Sequence, residues 1–489
     1  MSTASVVLRM CQVSIAERLD AGQVASLRQK RLRRLLAHVL TRSRFYAEFY
    51  RSHGITLDKL PDVQLTDLPP IDKQIVMANF DELVCDPTIT RAGIERFIGG
   101  SDYRAMYRGR CHVACTSGST GSPAIFLYGR RDWDLMQGMV GTRVLRYRPG
   151  GRIRLAFILN TDGHHAGVKL CHGAPWIAFK QMALSINAPL DRMLRDVDRF
   201  QPRLLVGYGS GIALLAQQQL AGKIRIRPSR VICSGEPLTK EMAATIHDAF
   251  GTVPLDFYAA SESLAIGVSC EHGRGIHLFD DWHCIEIVDS GGRPAQPGTP
   301  GRIRLTNLYN YTMPLIRYEI NDEVTPAADP CPCGWPFRLV ERVAGRTEQV
   351  LWFEKGGGQK ECVHPFALAA LRTPDVMQMQ FIQTASNELL ARIKTTADPA
   401  TVIRQVKDRI ATILRPKHLE PFITVRVEIV ADIPNDPVTG KYRLVIPYRT
   451  GVDAPGLSQA NAPCPPAART DKNVPVQVDE VPAREPRHA

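Results

Sequence analysis

The chain has 489 residues, and its 61 Lys and Arg against 49 Asp and Glu give a formal net charge of +12. Its length allows roughly two or three domains, and 44% apolar with 22% charged residues excludes collagen-like, coiled-coil and wholly disordered chains. No apolar run approaches the ~18 residues of a membrane-spanning helix, and Arg9 and Gln12 interrupt any signal-peptide core. We therefore expect a cytoplasmic protein with reduced cysteines and no membrane partner.

The first ~95 residues are predicted to be a helical lead-in with proline-rich turns at Pro61 and at Pro69 and Pro70. The basic run at 28–34 is interleaved with leucines, which predicts an amphipathic helix with a solvated basic face. No nucleic-acid-binding motif accompanies this run, so we expect no nucleic-acid partner. An acidic ligand such as a nucleotide explains the mild positive excess equally well.

From about residue 110 to residue 320, apolar runs alternate with helical stretches, which indicates an α/β fold with a mostly parallel sheet. The predicted strands are 153–159, 204–206, 231–233, 283–288 and 301–305, and the predicted helices are 212–220 and 239–250. After a break near Gly345, the glycine cluster at 356–358, a helix over 401–414 and a strand over 423–429 predict a small α+β domain. We therefore divide the chain into a large domain (1–345), a small domain (346–450) and a disordered Pro/Ala-rich tail (451–489).

A loop rich in glycine and hydroxyl residues covers 116–123 and reads TSGSTGSP. Its amide and hydroxyl donors suit an anion, and the apolar runs on both sides predict flanking strands, so we interpret it as a phosphate-binding loop. No Lys-Ser/Thr pair follows its second glycine, which excludes a Walker A motif. The segment at 207–211 resembles a dinucleotide-binding motif but lacks the third glycine, so Tyr208 and Gly209 are better candidates for a substrate-pocket wall.

Six motifs follow one another in an order that resembles a known family. They are the loop at 116–123, SGEP at 234–237, DFYAASE at 256–262, PLIRYEIND at 314–322, GR at 345–346 and GK at 440–441. Together they resemble the phenylacetate–coenzyme A ligase and CapK-like branch of the adenylate-forming enzymes, over roughly residues 20–450. The resemblance implies a large N-terminal adenylate-forming domain and a small mobile C-terminal domain.

The resemblance also implies a reaction in two steps. A carboxylic acid attacks the α-phosphate of ATP to give an acyl-adenylate and pyrophosphate, and the thiol of coenzyme A then displaces AMP. Lys441 and Glu262 are the implied catalytic residues, with Glu262 as a ligand of Mg²⁺ and Asp322 as the acceptor of the ribose hydroxyls. The full set implied for ATP or AMP binding is Thr116, Ser117, Gly118, Ser119, Thr120, Gly121, Gly235, Glu236, Pro237, Tyr258, Ser261, Asp322 and Arg346.

Three departures from the family pattern leave the acyl acceptor open. Ser122 stands where the family often has lysine, the hinge reads GRTEQ at 345–349, and the 353–364 tract is rich in glycine. The acceptor is therefore coenzyme A or, alternatively, an amine or a carrier-protein thiol. A non-catalytic nucleotide-binding relative is disfavoured because Glu262, Asp322 and Lys441 are retained. Both a monomer and a homodimer remain open.

Two short-range pairs predict a zinc site. Cys270 with His277 and Cys331 with Cys333 supply the four N/S ligands that tetrahedral Zn²⁺ prefers, and His272 is the alternative fourth ligand. Relatives in the same branch carry a structural metal at similar positions. Four protein ligands leave no open position, so the expected role is structural.

Overall fold

The computed structural model describes residues 3–100, 102, 105–116, 124–147, 151–161, 164, 166–173, 178–344, 350–369, 371, 373, 375–434 and 443–448. The α-helices are α1 Thr3–Ala16, α2 Ala21–Arg42, α3 Arg44–Ser52, α4 Lys73–Ala78, α5 Phe80–Leu83, α6 Arg91–Ile98, α7 Arg130–Met139, α8 Ala166–Gly173, α9 Leu190–Phe200, α10 Gly209–Leu220, α11 Lys240–Phe250, α12 Pro365–Ala369 and α13 Pro399–Leu414. Within these ranges, none of the helices combines the length and apolarity that crossing a bilayer requires.

The strands form one large sheet and three smaller ones. They are β1 Cys111–Cys115, β2 Ile125–Gly129, β3 Ile153–Leu159, β4 Phe179–Ser185, β5 Leu204–Gly207, β6 Arg230–Ser234, β7 Leu255–Ala260, β8 Ser263–Ser269, β9 Ile276–Leu278, β10 His283–Val288, β11 Gly301–Asn307, β12 Tyr318–Pro326, β13 Leu339–Ala344, β14 Leu351–Gly356, β15 Gln359–Val363, β16 Val376–Ala385, β17 Glu388–Thr395, β18 Thr424–Ile429 and β19 Val445–Ile446.

The large sheet has the strand order β10-β11-β12-β13-β9-β8-β7-β6-β5-β3-β4. The strands from β4 to β7 run parallel and are joined by helices α9, α10 and α11, while the strands from β8 to β10 are antiparallel. The parallel strands are apolar along most of their length because helices cover the sheet; β3, for example, is buried from Leu155 to Leu159. The predicted α/β class is confirmed, and the antiparallel half corresponds to the β-rich pattern seen after residue 283.

One residue of the basic run on α2, Arg31, does not lie on the solvated face that the sequence predicts. This side chain is buried, with its guanidinium 3.2 Å from the ring centroid of Trp282, and it donates a hydrogen bond to the carbonyl oxygen of Asp281 at 2.5 Å. The Asp281 carboxylate also accepts from Arg143 at 2.7 and 3.0 Å. The lead-in helices are thus anchored to the main sheet through a buried charged cluster, which periodicity along α2 alone does not reveal.

Residues beyond 350 begin with the antiparallel hairpin β14–β15 and continue into a sheet of order β18-β17-β16-β19 that α13 covers. The glycine cluster forms the hairpin turn, since Gly356, Gly357 and Gly358 have φ values of +86°, +62° and +75°. The described residues up to Tyr448 form one compact unit. The boundary at 345/346 and the tail at 451–489 lie outside the described residues, so the predicted three-part division stays a prediction.

Candidate active site

A cleft of about 1180 Å³ lies at the carboxyl ends of the parallel strands. Ends of β3, β5, β6 and β7 all contribute to its lining, which is where ligands bind in open α/β sheets. The structure brings together in this cleft most of the described residues that the sequence assigned to nucleotide or acid binding. These lining residues are Thr116, Tyr208, Gly235, Ser261, Glu262 and Asp322.

Two carboxylates face this cleft. Asp322 on β12 accepts a hydrogen bond of 2.8 Å from the Tyr258 hydroxyl on β7, which joins residues 64 positions apart in sequence. The Tyr318 hydroxyl donates to Glu262 at 3.5 Å. Burial, together with the nearby negative charge of Asp322, raises the pKa of Glu262 to about 7. A half-buried carboxylate pair of this kind favours a bound cation, which lowers the cost of keeping both groups ionised.

The turn that carries Glu262 is fixed by buried side chains from three other elements. The Tyr128 hydroxyl donates to the Ser261 carbonyl at 2.6 Å, and the Asn307 amide donates to the Glu262 carbonyl at 3.4 Å. Behind the turn, the Ser263 hydroxyl lies 2.8 Å from Nε2 of His283. The carboxylate therefore projects from a backbone that is held before any ligand arrives, which is the preorganisation that catalytic electrostatics needs.

The predicted phosphate loop follows β1 and begins at Thr116, which lines the cleft. Thr116 and Ala124 close the mouth of this loop, with backbone hydrogen bonding at 3.0 Å and the Ala124 amide donating to Thr116 Oγ1 at 2.9 Å. The strands expected on both sides of the loop are confirmed. The remaining predicted residues of the loop, with Arg346 and Lys441, lie outside the described residues, and their roles stay predictions; the loop residues concerned are Ser117, Gly118, Ser119, Thr120 and Gly121.

The turn after β6 contacts the cleft through Gly235. Its φ of +86° is a conformation that glycine adopts readily, and a Cβ there would lie 3.0 Å from two ring atoms of Tyr208. Glu236 is buried behind this turn, where it accepts from the backbone amide of Ser210 at 2.7 Å near the start of α10. Gly209 begins α10 and Pro237 follows the turn after β6, and neither is among the residues that line the cleft.

Lys73 is a lining residue that the sequence analysis did not identify. It begins α4, and the preceding Ile71 pairs with β12 through two backbone hydrogen bonds, to the Arg317 carbonyl at 3.2 Å and from the Glu319 amide at 2.9 Å. Burial lowers the pKa of Lys73, and the Glu262 carboxylate favours its charged form. No motif marks this lysine, because only the long-range pairing of the lead-in with β12 carries it to the cleft.

The four predicted metal ligands form one cluster. The ligating atoms of Cys270, His277, Cys331 and Cys333 all lie within 4.8 Å of one another. His277 Nδ1 is 3.1 Å from the Phe337 carbonyl, so it is the donor there and leaves the Nε2 lone pair facing Cys333 Sγ at 3.3 Å. A second partner that fixes the imidazole tautomer is usual for a metal-ligating histidine. The structure places His277, and not the alternative His272, in this cluster.

The comparisons with known proteins agree with the motif order. No protein-family model matches the chain. Phenylacetate-coenzyme A ligase of Thermus thermophilus is 23% identical over 352 residues, which cover 68% of this chain and 73% of that protein. Protein CapK of Staphylococcus aureus is 21% identical over 416 residues, covering 79% and 82% respectively.

The fold is also that of a solved ligase structure. 2-Hydroxyisobutyryl-CoA ligase, in complex with 2-HIB-AMP and CoA in the thioesterification state, matches with a TM-score of 0.60 and 20% identity, over 88% of this chain and 91% of that one. The ordered motifs, the convergence of their described residues on one cleft and the curated relatives support one assignment. The chain is similar in motif order and sequence to the phenylacetate–coenzyme A ligase-like adenylate-forming enzymes, and it shares its fold with a solved ligase of that superfamily.

Proposed function

We propose that the chain is an AMP-forming ligase that activates a carboxylic acid with ATP and transfers the acyl group to coenzyme A. The observation that carries the proposal is the pair of carboxylates, Glu262 in the turn after β7 and Asp322 on β12, which line one cleft. The relatives named phenylacetate-coenzyme A ligase and the ligase structure with an acyl-AMP and CoA support this reaction.

The first half-reaction gathers negative charge on phosphoryl oxygens, so it needs donors and cations placed in advance. Thr116 opens the loop proposed to bind the β- and γ-phosphates, and Lys73 supplies a positive charge on the lead-in side of the cleft. Asp322, whose carboxylate accepts a hydrogen bond from the Tyr258 hydroxyl, is proposed to accept hydrogen bonds from the ribose. Lys441 is proposed to bind the acid carboxylate and the α-phosphate oxygen during this step.

The Glu262 carboxylate, which lines the cleft, fits Mg²⁺, because a hard oxygen ligand with its turn held in place suits that ion. When bound, Mg²⁺ would neutralise charge on the phosphates. The chain's own contribution is to hold the turn that carries this carboxylate, through hydrogen bonds from Tyr128 and Asn307 to its backbone carbonyls.

The Cys/His cluster fits Zn²⁺, since three thiol sulfurs and one imidazole nitrogen converge on one point. We propose a structural zinc there, which would join the end of β8 to the loop before β13. Metal content measured after dialysis without chelator tests this proposal, with about one zinc per chain expected.

The reaction is tested by pyrophosphate release from Mg·ATP across a panel of aryl and alkyl acids, with and without coenzyme A. We expect acid-dependent release, and AMP formation that coenzyme A stimulates. Acid-dependent release without that stimulation would favour the alternative acceptor, an amine or a carrier-protein thiol. No release with any acid, together with nucleotide binding, would overturn the proposed reaction.

The role of Lys441 is tested by comparing the two half-reactions in Lys441→Ala. We expect adenylation to fall by about 100-fold or more, while thioester formation from preformed acyl-adenylate changes much less. Equal loss in both half-reactions would contradict a lysine that acts only in the first step.

A further inference from the structure

Residues 351–369 reach the cleft although they follow the predicted domain boundary. This segment, which we call the 351–369 segment, comprises β14, β15 and α12. Phe366 is a cleft-lining residue, and its ring stacks on Tyr208 with centroids 4.2 Å apart and planes inclined by 12°. Val363 and Leu368 share one buried core with Ile158 of β3. One wall of the cleft is therefore built from both sides of the predicted boundary.

A directed chain of hydrogen bonds joins this segment to the large sheet. The Phe366 backbone amide donates to His364 Nδ1 at 3.2 Å, so the neutral imidazole carries its proton on Nε2. Nε2 lies 2.8 Å from the Ser210 hydroxyl oxygen and donates to it. The Ser210 hydroxyl in turn donates to Glu236 Oε1 at 2.5 Å. Each side chain in this series accepts one hydrogen bond and donates the next, as far as Glu236. The series of hydrogen bonds therefore fixes a single orientation of the imidazole.

The burial and the charges around His364 keep that orientation. Burial, together with the positive charge of Lys417, lowers the pKa of His364 to about 3, so the ring is neutral near pH 7. Ser210 and Glu236 are buried as well.

A second contact fixes the other end of the segment. Glu361 accepts from the Leu190 backbone amide at 3.0 Å, at the N-terminus of α9, and Lys417 donates to the Ala188 carbonyl at 2.7 Å. Lys417 Nζ also lies 3.8 Å from Glu361 Oε1. A buried carboxylate at a helix N-terminus is favourable, so this contact holds the hairpin β14–β15 against the large sheet.

The Tyr208 ring contacts residues of two parts of the chain. Phe366 and His364 of the 351–369 segment both stack on it, with centroids 4.2 and 5.4 Å away. On the other side, Gly235 lies beside its edge, and its hydroxyl bonds to the backbone of Asn160. The width of the cleft beside Tyr208 thus depends on whether that segment is in place.

We propose that Phe366 is a specificity-determining residue for the carboxylic acid, and that His364, through Ser210 and Glu236, is the positioning residue that holds it against Tyr208. This inference rests on the proposed acid activation. It assigns part of the acid pocket to the segment beyond residue 350, so acid selection depends on docking of that segment.

Phe366→Ala tests the specificity role, with Phe422→Ala as the matched control because Phe422 lies beyond residue 350 and is 42% exposed. With a panel of acids of increasing width, we expect Phe366→Ala to raise the KM of the best wild-type acid about 10-fold and to improve the relative kcat/KM of wider acids. Phe422→Ala should keep the wild-type order of acids. A folded Phe366→Ala with an unchanged order of acids would overturn the proposal.

His364→Ala and His364→Gln test the positioning role, because the Gln amide can donate to Ser210 in place of Nε2. We expect His364→Ala to raise the acid KM about 10-fold with a smaller change in kcat, and His364→Gln to restore most of it. Loss of folding alone would lower kcat through the active fraction and leave the acid KM unchanged. That result, or no rescue by Gln, would overturn the positioning role.

Hydrogen exchange of the backbone amides in 359–369 separates this inference from the proposed reaction. Faster exchange in His364→Ala than in wild type, reversed in His364→Gln, supports docking through this chain whether or not a substrate has been found. Equal exchange in all three proteins would overturn it. Absence of acid-dependent pyrophosphate release from wild type would instead count against the proposed reaction and, with it, against the specificity role of Phe366.

Discussion

The Cys/His cluster and the cleft are assembled in different ways. All four cluster residues lie between positions 270 and 333, at or beside neighbouring antiparallel strands, where His277 is paired in register with both Val268 and Leu339. The cleft draws lining residues from position 72 to position 366, including the lead-in and the 351–369 segment. A site built from one sheet is complete once that sheet forms, whereas the cleft needs three separate parts of the chain to dock.

The largest effect is expected at the carboxylate of the cleft. Glu262→Gln removes the negative charge but keeps the side-chain size, so we expect pyrophosphate release to fall by about 100-fold to 1000-fold. The Cys/His cluster should keep its metal, because the two sites share no ligand. Single-turnover pyrophosphate release and metal content of the same preparation measure both effects. A loss of metal alongside activity would contradict the independence of the two sites.

Removing one ligand of the Cys/His cluster should lower the metal content and the stability of the protein but leave the adenylation rate largely unchanged. Cys331→Ser is expected to lose the bound metal and to lower the free energy of unfolding by about 3 kcal/mol or more. The remaining folded protein should keep most of its adenylation rate per active molecule. Cys11→Ser is the matched control, because Cys11 is exposed and lies outside the cluster. Metal analysis and chemical denaturation check this, and full metal retention in Cys331→Ser would refute the ligand assignment.

Local patterns predicted the elements that this comparison depends on. The strands predicted at 153–159 and 283–288 coincide with β3 and β10. Such strands are predictable because the apolar residues that they bury lie close together in the sequence. The cluster was also predictable, since its ligands come as two short-range pairs of unusual chemistry. Motif order placed Glu262 and Asp322 in one site, which periodicity alone does not do.

The contributions of Lys73, His364 and Phe366 could not be predicted in the same way. Each depends on docking between distant parts of the chain, as when Ile71 pairs with β12 or when His364 meets Ser210 across 154 positions. A lysine at a helix start or a histidine before a proline has no local signature of such a contact. The sequence therefore predicts the cleft residues that lie in recognisable motifs. It does not predict those that reach the cleft through docking of the lead-in and of the 351–369 segment.

Substitution of Lys73 tests the wall of the cleft that the lead-in supplies, and its expected effect on activity is intermediate in size. Lys73→Met removes the charge beside Glu262 while keeping a long apolar side chain, and we expect pyrophosphate release to fall by about 10-fold to 30-fold with a raised KM for ATP. Lys59→Met is the control, since Lys59 belongs to the same lead-in and its ammonium donates to the Gly54 carbonyl on an exposed surface, away from the residues that line the cleft. Steady-state kinetics at saturating acid measure the change, and an unchanged KM for ATP would exclude a contact with the nucleotide.

The smallest expected effect is a pH dependence of docking at the 351–369 segment. The pKa of His364 is lowered to about 3 in the docked state, whereas a released histidine has a pKa near 6.5. Docking is therefore fully favoured above pH 6.5 and is weakened as pH falls toward 3, by about 1.4 kcal/mol at pH 5.5. Protonation would place a second positive charge near Lys417 and remove the acceptor for the Phe366 amide.

Exchange of the 359–369 amides at pH 7.0 and pH 5.5, compared between wild type and His364→Gln, isolates the contribution of His364 because the other titrating residues are common to both proteins. The same pH response in the two proteins would show that the imidazole does not control docking of the 351–369 segment. The cleft would then not depend on His364, just as the Cys/His cluster does not.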